Sequence, residues 1–141
     1  MSGFLLDTNV PSELIRPQPE TKITVWLAEQ PLDDLFISVV TFGELRKGVT
    51  IRKPGKRRAE LETWLENDVA KLFQGRILPV TKAIAECWGV LEGQRQLAGR
   101  PLAVPDAQIA ATAIEHDLSL VTRNVSDFQG LGLTIVNPWE A

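Results

Sequence analysis

Four short acidic signatures carry the chemistry open to this chain: Asp7 in FLLDTN, Glu44 in TFGELRKG, Asp106 in PDAQIAATA and Asp127 in TRNVSDF. Each falls at the end of a strand-like run, at the start of a helix, or in the loop after a strand. Carboxylates without histidine or cysteine beside them favour hard cations, so acids converging on one place would suit Mg2+ or Mn2+. Such an ion serves phosphate chemistry, because it neutralises charge and activates water.

Each acid also has a structural alternative. Asp7, Thr8 or Asn9 could cap the helix that follows. Thr41 to Glu44 matches a capping box, in which the glutamate bonds back to the cap residue. Asp106 follows Pro105 at a helix start, where an acid stabilises the helix dipole by about 0.3 to 1 kcal/mol. Ser126 and Asp127 could form an ordinary turn. Four acids in this order and in these element positions argue for a shared site over four independent caps.

The elements that must position them read as an alternating β/α series. Phe4 to Leu6 is an apolar run ending at Asp7, and Pro11 fits the first turn of a helix carrying Leu14 and Ile15. Glu20 to Glu29 has Ile23, Trp26 and Leu27 at helical spacing. Leu35 to Val40 is β-branched and apolar, which predicts a strand ending just before Thr41. Thr41 to Ile51 and Pro54 to Phe73 form a helical hairpin, and Ile77 to Val80 is a short strand. Thr81 caps a helix over Ala83 to Leu97. Gly99 to Val104 is a loop, Asp106 to His116 an alanine-rich helix, Leu118 to Val121 a strand, and Leu133 to Val136 an edge strand. The economical fold is α/β, a parallel sheet with helices on both faces. Acids at the carboxyl ends of its strands would meet in one crevice.

At 141 residues the chain suits one domain, residues 1–141, with a real core. Its 44% hydrophobic and 23% charged residues exclude a disordered or low-complexity chain. A net charge of −3 excludes a globally basic nucleic-acid binder, so any nucleic-acid contact must come from a local patch. The one cysteine, Cys87, excludes an internal disulfide. With no charged-then-apolar leader at Met1, this favours the cytoplasm. No apolar run approaches membrane-spanning length.

Taken together, LLDTNV, SVVTFGELRKG, PDAQIAATA, VTRNVSDF and the closing NPW resemble PIN-domain ribonucleases of the VapC or FitB type, the toxins of toxin–antitoxin pairs. The resemblance spans nearly the full length. It implies a three-layer α/β/α domain with a central, mainly parallel sheet and an acidic cluster binding Mg2+ or Mn2+. It further implies RNA cleavage, a homodimer, and neutralisation by a VapB/FitA-like antitoxin, with possible higher assembly and promoter DNA reached only through the antitoxin. Carried over by position, Asp7, Glu44 and Asp106 match the first three acids, with Asp7 and Asp106 as direct metal ligands. Many relatives place an aspartate directly after Thr-Arg, where this chain has Asn124 and offers Asp127 three residues later. Thr8, Asn9, Thr122, Arg123 and Asn124 become groups that orient the ligands or the substrate.

A run of bases, Arg46, Lys47, Arg52, Lys53, Lys56, Arg57 and Arg58, has no acid between Glu44 and Glu60. It reads either as a solvated hairpin or as phosphate contacts, foremost Arg46, Lys47, Arg52 and Lys53. Arg95 and Arg100, near the loop before Asp106, are weaker candidates. Trp26, Trp64 and Trp88 sit at core spacing, and Trp139 follows the last strand and would cover its edge. Cleavage through the RNA 2′-hydroxyl usually relies on paired general acids and bases such as histidines. With His116 as its one histidine, the chain is better suited to metal-dependent hydrolysis. Two alternatives stand: a PIN-like module that binds RNA or protein without cutting, and a phosphatase with its aspartate after the first strand. The phosphatase usually carries a second acid two residues on, where this chain has Asn9.

Overall fold

The computed structural model describes residues 3–140; Met1, on which the reading of a missing leader rests, lies outside them. The chain runs β1 (Phe4–Leu6), α1 (Asn9–Leu14), α2 (Thr21–Ala28), β2 (Leu35–Ser38), α3 (Val39–Thr50), α4 (Lys56–Thr63), α5 (Ala70–Leu72), β3 (Ile77–Leu78), α6 (Lys82–Leu97), α7 (Val104–Glu115), β4 (Ser119–Val121), α8 (Val125–Phe128) and β5 (Ile135–Val136). Wide π-type turns over Trp64–Val69 join α4 to α5, so the expected helix over Pro54 to Phe73 is present with a change of pitch.

The five strands pair in the order β3-β2-β1-β4-β5, all parallel. The first strand is central, flanked by β2 and β4, so the chain reverses its direction of growth between β1 and β4. Such a switch point opens a crevice at the carboxyl ends of the two strands. Leu6 is in register with Val121, which puts Asp7 and Thr122, the next residue of each strand, side by side.

Alternation along the strands divides the core in two. Leu5 and Leu120 join α6 and α7 in one cluster, with Ile84, Leu91, Ile109 and Phe128. Leu6, Leu35, Ile37 and Val121 face the other way, onto Val10, Ile23, Leu45 and Leu65. Both faces of the sheet are therefore covered, which is the three-layer α/β/α arrangement. Helix α7 is buried nearly all round. Its fully buried Ala107, Ala110, Ala111 and Ala113 are small enough to bring its backbone close to neighbouring elements.

Several boundaries depart from the sequence reading. The second strand stops at Ser38, because the Ser38 hydroxyl accepts from the Val40 amide at 3.0 Å and starts α3 there. The β-branched pair Val39–Val40 thus opens a helix instead of extending a strand. Helix α7 begins at Val104, with Pro105 in its first turn, where a missing N–H costs nothing. The last strand is only Ile135–Val136, after Gly130 and Gly132 turn the chain with φ of 79° at each. Thr81 caps α6 as expected, accepting from the Ile84 amide at 3.2 Å.

Gly3 sits where strand, turn and helix ends crowd together. A Cβ there would lie 2.9 Å from Leu118 Cδ2 and 3.3 Å from both the Asp34 carbonyl and Phe36. Gly3→Ala is therefore expected to lower stability by about 1 to 3 kcal/mol, measurable by urea denaturation. An unchanged midpoint would mean that the β1 end yields freely.

Candidate active site

Asp7, Thr8, Asn9, Ser12, Glu44, Asp106 and Asn124 line one open cleft of about 320 Å³ at the carboxyl ends of β1 and β4. Asp7 reaches it from the end of β1, Glu44 from α3, Asp106 from the first turn of α7, and Asn124 from the loop after β4. Asp127 lies on the far side of Asp106, in an adjoining polar cavity that the two aspartates share. Asp127 was expected in a loop. It sits instead in α8, a four-residue helix pinned by Phe128, which is 1% exposed.

Asp7 is held by a dense set of donors. Its Oδ1 accepts from the Thr8 amide at 2.8 Å, and its Oδ2 accepts from the Thr122 hydroxyl at 2.7 Å and from Asn9 Nδ2 at 3.4 Å. Thr122, fully buried, also accepts from the Asn124 amide at 3.0 Å and from Asn9 Nδ2 at 3.3 Å. One hydroxyl therefore ties together the ends of β1 and β4 and the start of α1.

The capping box expected at Thr41 to Glu44 does not form, because α3 is already under way at Val39 and is capped by Ser38. Glu44 is free to turn into the cleft, where its Oε1 accepts from the Thr8 hydroxyl at 2.5 Å; that hydroxyl also lies 3.3 Å from Thr41 Oγ1. Thr8 thus links Asp7, through its amide, to Glu44, through its side chain.

The cleft lining has three acids and, among the described residues, no base, and burial and mutual repulsion penalise the acids' charge. Burial is the main force raising the Asp7 pKa, and Glu44 and Asp127 add to it against the Thr122 and Thr8 hydrogen bonds. Burial likewise raises Asp106, to about 6, with Asp7, Asp127 and Glu44 pushing the same way. Asn9 Oδ1, buried at the same place, has no hydrogen-bond partner among the described residues. Among the described residues no three acids gather as a complete ligand set. An oxygen-only donor set, unbalanced carboxylates and an orphaned amide oxygen nonetheless fit a divalent cation completed by water.

The basic residues fall differently from the sequence reading. A groove of about 340 Å³ runs from Ser12 and Glu44 between α1, α3 and α4, and is lined by Arg16, Arg52 and Arg57. Of Arg46, Lys47, Arg52 and Lys53, only Arg52 lines it, because it follows buried Leu45 and Val49 at helical spacing. Arg46 instead pairs with Glu66 at 3.1 Å. Arg57 donates to the Ile15 carbonyl at 2.6 Å. Arg123 does not line the cleft; its guanidinium lies 5.9 Å from the centre of the Trp139 ring. His116, exposed at the C-terminal end of α7, is about 15 Å from Asp106 along the helix axis.

Two groups, Ser12 and Glu13, escaped the sequence reading, and Arg95 was read only as a weaker phosphate contact. Ser12 lines the cleft one helical turn after Asn9, a spacing that could have flagged it. Glu13 is 4% exposed and accepts from the Glu20 amide at 3.0 Å, Arg16 at 3.2 Å and Trp139 Nε1 at 3.4 Å. The Glu20 hydrogen bond is the main cause of its lowered pKa, and the group clasps the chain end onto α1. Arg95, also buried, binds the carbonyls of Asp127 and Gln129. Local sequence does not signal their far partners, Trp139 for Glu13 and the Asp127 and Gln129 carbonyls for Arg95, which lie 126, 32 and 34 positions away.

Comparison with known proteins places this geometry. The model of the PIN domain matches residues 4–129. Toxin FitB of Neisseria gonorrhoeae is 38% identical over 136 residues, covering 96% of this chain and 98% of the relative. VapC ribonuclease Y4jK of Sinorhizobium fredii is 37% identical over 137 residues, covering 97% and 98%. The crystal structure of FitAcB from Neisseria gonorrhoeae superposes with a TM-score of 0.92 at 38% identity, covering 98% of this chain and 99% of that one. FitAB bound to an IR36 DNA fragment follows with a TM-score of 0.90 at 36% identity, covering 96% and 95%.

Proposed function

This chain belongs to the PIN-domain family, and from that premise we propose that it is the toxin of a toxin–antitoxin pair, an endoribonuclease acting by metal-dependent hydrolysis. The observation that carries the reading is the convergence of Asp7, Glu44 and Asp106 on one cleft at the switch point of the sheet, with Asp127 beside Asp106. VapC nucleases of this fold generally use a divalent metal, and the all-oxygen donors favour Mg2+ or Mn2+. Residues 1–141 act as one domain, and the protein works in the cytoplasm, where RNA is at hand. No described helix is long and apolar enough to cross a membrane.

Asp7 and Asp106 would hold the ion. When bound, it neutralises phosphate charge and makes a water nucleophilic near neutral pH. The Thr122 hydroxyl and the Thr8 amide fix the Asp7 carboxylate, so that it needs no reorganisation as charge develops. Glu44, anchored through Oε1 by Thr8, keeps Oε2 to accept a proton from the attacking water. Asp127 and Asn124 orient water around the phosphate, and Asn9 holds the Asp7 carboxylate and the Thr122 hydroxyl through Nδ2. Arg52, one groove away, offsets the acids' repulsion of the RNA backbone.

A VapB/FitA-like antitoxin restrains this activity, and the toxin acts as a homodimer that enters a larger assembly with it. Promoter DNA is reached only through the antitoxin. In support, the FitB relative is solved within FitAB bound to DNA. An apolar cavity lined by Leu14, Leu32 and Leu72, with Trp64 as a wall shared with the arginine groove, offers room for an antitoxin segment.

The test is cleavage of total cellular RNA by purified, antitoxin-free protein with and without Mg2+. Fragments bearing 5′-phosphates are expected. Cyclic phosphate ends would exclude metal-assisted hydrolysis by water, and metal binding without cleavage would favour a PIN-like module that binds RNA or protein without cutting it.

A further inference from the structure

We propose that the polar cavity beside Asp106 is a second phosphate subsite, where Arg95 and Arg100 grip an RNA backbone phosphate next to the one being cut. The inference rests on the nuclease reading above and adds which part of the substrate this side of the cleft holds. The cavity measures about 310 Å³, is lined by Arg95, Arg100, Ala103, Asp106 and Asp127 among others, and meets the acid cleft at Asp106.

Arg95 is the unusual member. It projects from the last turn of α6, is only 8% exposed, and donates to the carbonyls of Asp127 at 2.8 Å, Gln129 at 3.0 Å and Arg100 at 3.5 Å. These bonds fix its position and tie down the turn that carries Asp127. They do not cancel its charge. Among the described residues the ion pairs lie elsewhere, and neither Arg95 nor Arg100 has a carboxylate within 4.0 Å. A buried cation without a counter-ion is costly, and a guanidinium has five donors, of which three carbonyls use only part. An anion entering the cavity would supply both the charge and the remaining acceptors.

The surroundings favour a phosphate that belongs to a longer strand. Arg100 is exposed at the mouth of the cavity, and the twelve-residue helix α7 opens there with its positive end. Two arginines share the cavity with Asp106 and Asp127 without pairing with them, so it does not repel a phosphate as the neighbouring cleft does, whose lining among the described residues has acids and no base. On the opposite side the cleft runs into the groove of Arg16, Arg52 and Arg57. Cations thus flank the acids on two sides, as an extended single strand crossing the cleft requires, with its neighbouring phosphates held and the central one exposed to attack.

The test pairs Arg100→Ala with single methylphosphonates, which delete one phosphate charge at a time from the shortest RNA that the protein cuts. Arg100→Ala is expected to raise KM about tenfold, leave kcat nearly unchanged and lower the salt slope of binding by about one. Arg100→Lys should restore much of the loss. One flanking methylphosphonate should cost the wild type at least that factor and cost Arg100→Ala less, the remainder being the hold of Arg95. An unchanged KM, or a scan that is flat away from the scissile position, overturns the subsite and leaves the nuclease reading intact. Should the wild type cut no RNA, the anisotropy of a labelled single-stranded RNA decides the subsite alone. A Kd about tenfold weaker in Arg100→Ala supports it, and equal Kd values overturn it.

Discussion

Asp7→Asn and Asp106→Asn are each expected to lower RNA cleavage about a thousandfold, since each removes a charge that holds the cation and several kcal/mol of barrier depend on that ion. Asp106→Asn should at the same time make the metal-free protein more stable at neutral pH. The Asp106 pKa is raised from 3.8 to about 6, chiefly by burial, so the folded state holds its proton more tightly than the unfolded chain does. Stability from this group is therefore fully present below pH 3.8 and is lost as pH rises through about 6. The asparagine variant has no such loss. Its advantage should be near zero in acid and reach about 1 to 2 kcal/mol above pH 7, after discounting for solvent screening. Thermal melts from pH 4 to 8, with and without Mg2+, check both halves. Mg2+ should stabilise the wild type and leave Asp106→Asn unmoved. Full activity in either variant would remove that aspartate from the chemistry.

Thr122→Val is expected to be costly despite preserving the shape of the side chain. The hydroxyl it deletes donates to Asp7 Oδ2 and accepts from the Asn124 amide and Asn9 Nδ2, in a position with no solvent exposure. Removing it strands the Asn124 amide and leaves Asp7 Oδ2 and Asn9 Nδ2 with only their own 3.4 Å contact, where water cannot easily replace the hydroxyl, which should lower stability by about 2 to 4 kcal/mol. Activity should fall about 10- to 100-fold, the usual effect of losing a group that orients a metal ligand. The Thr122 bond lowers the Asp7 pKa, so its loss should raise that pKa further and move the acid limb of the pH–activity profile to higher pH. Thr122→Ser keeps the hydroxyl and should recover most of both losses. A valine variant with wild-type stability and an unmoved profile would mean that water takes over the hydroxyl's role.

The parallel α/β architecture was legible because its signals are local. Apolar runs ending in turn residues mark the strands, and helical spacing marks the faces of α2, α6 and α7, so layers and element order follow from short windows of sequence. Boundaries were less legible where two local rules compete. Val39 and Val40 have the composition of a strand, but the Ser38 hydroxyl caps a helix there, and the hydrogen bond prevails over β propensity. The same early start, with the cap at Ser38 instead of Thr41, replaced a plausible capping box at Thr41 to Glu44 with a glutamate aimed into the cleft.

The sequence by itself determined the residue types of the site, Asp7, Glu44, Asp106 and Asp127, because a carboxylate's chemistry is intrinsic and its place at a strand or helix end can be read from its neighbours. Only the tertiary structure decided which side chains they meet. The switch point between β1 and β4 brings Thr122 to Asp7 across 115 positions of chain, and α6 delivers Arg95 to the carbonyls behind Asp127. It also selected Arg52 over Arg46, Lys47 and Lys53, since the direction of each base depends on which face of α3 and of the turn after it is buried. Contacts of this kind join residues far apart in sequence, and they arise only when burial of the two core faces fixes the helices against the sheet.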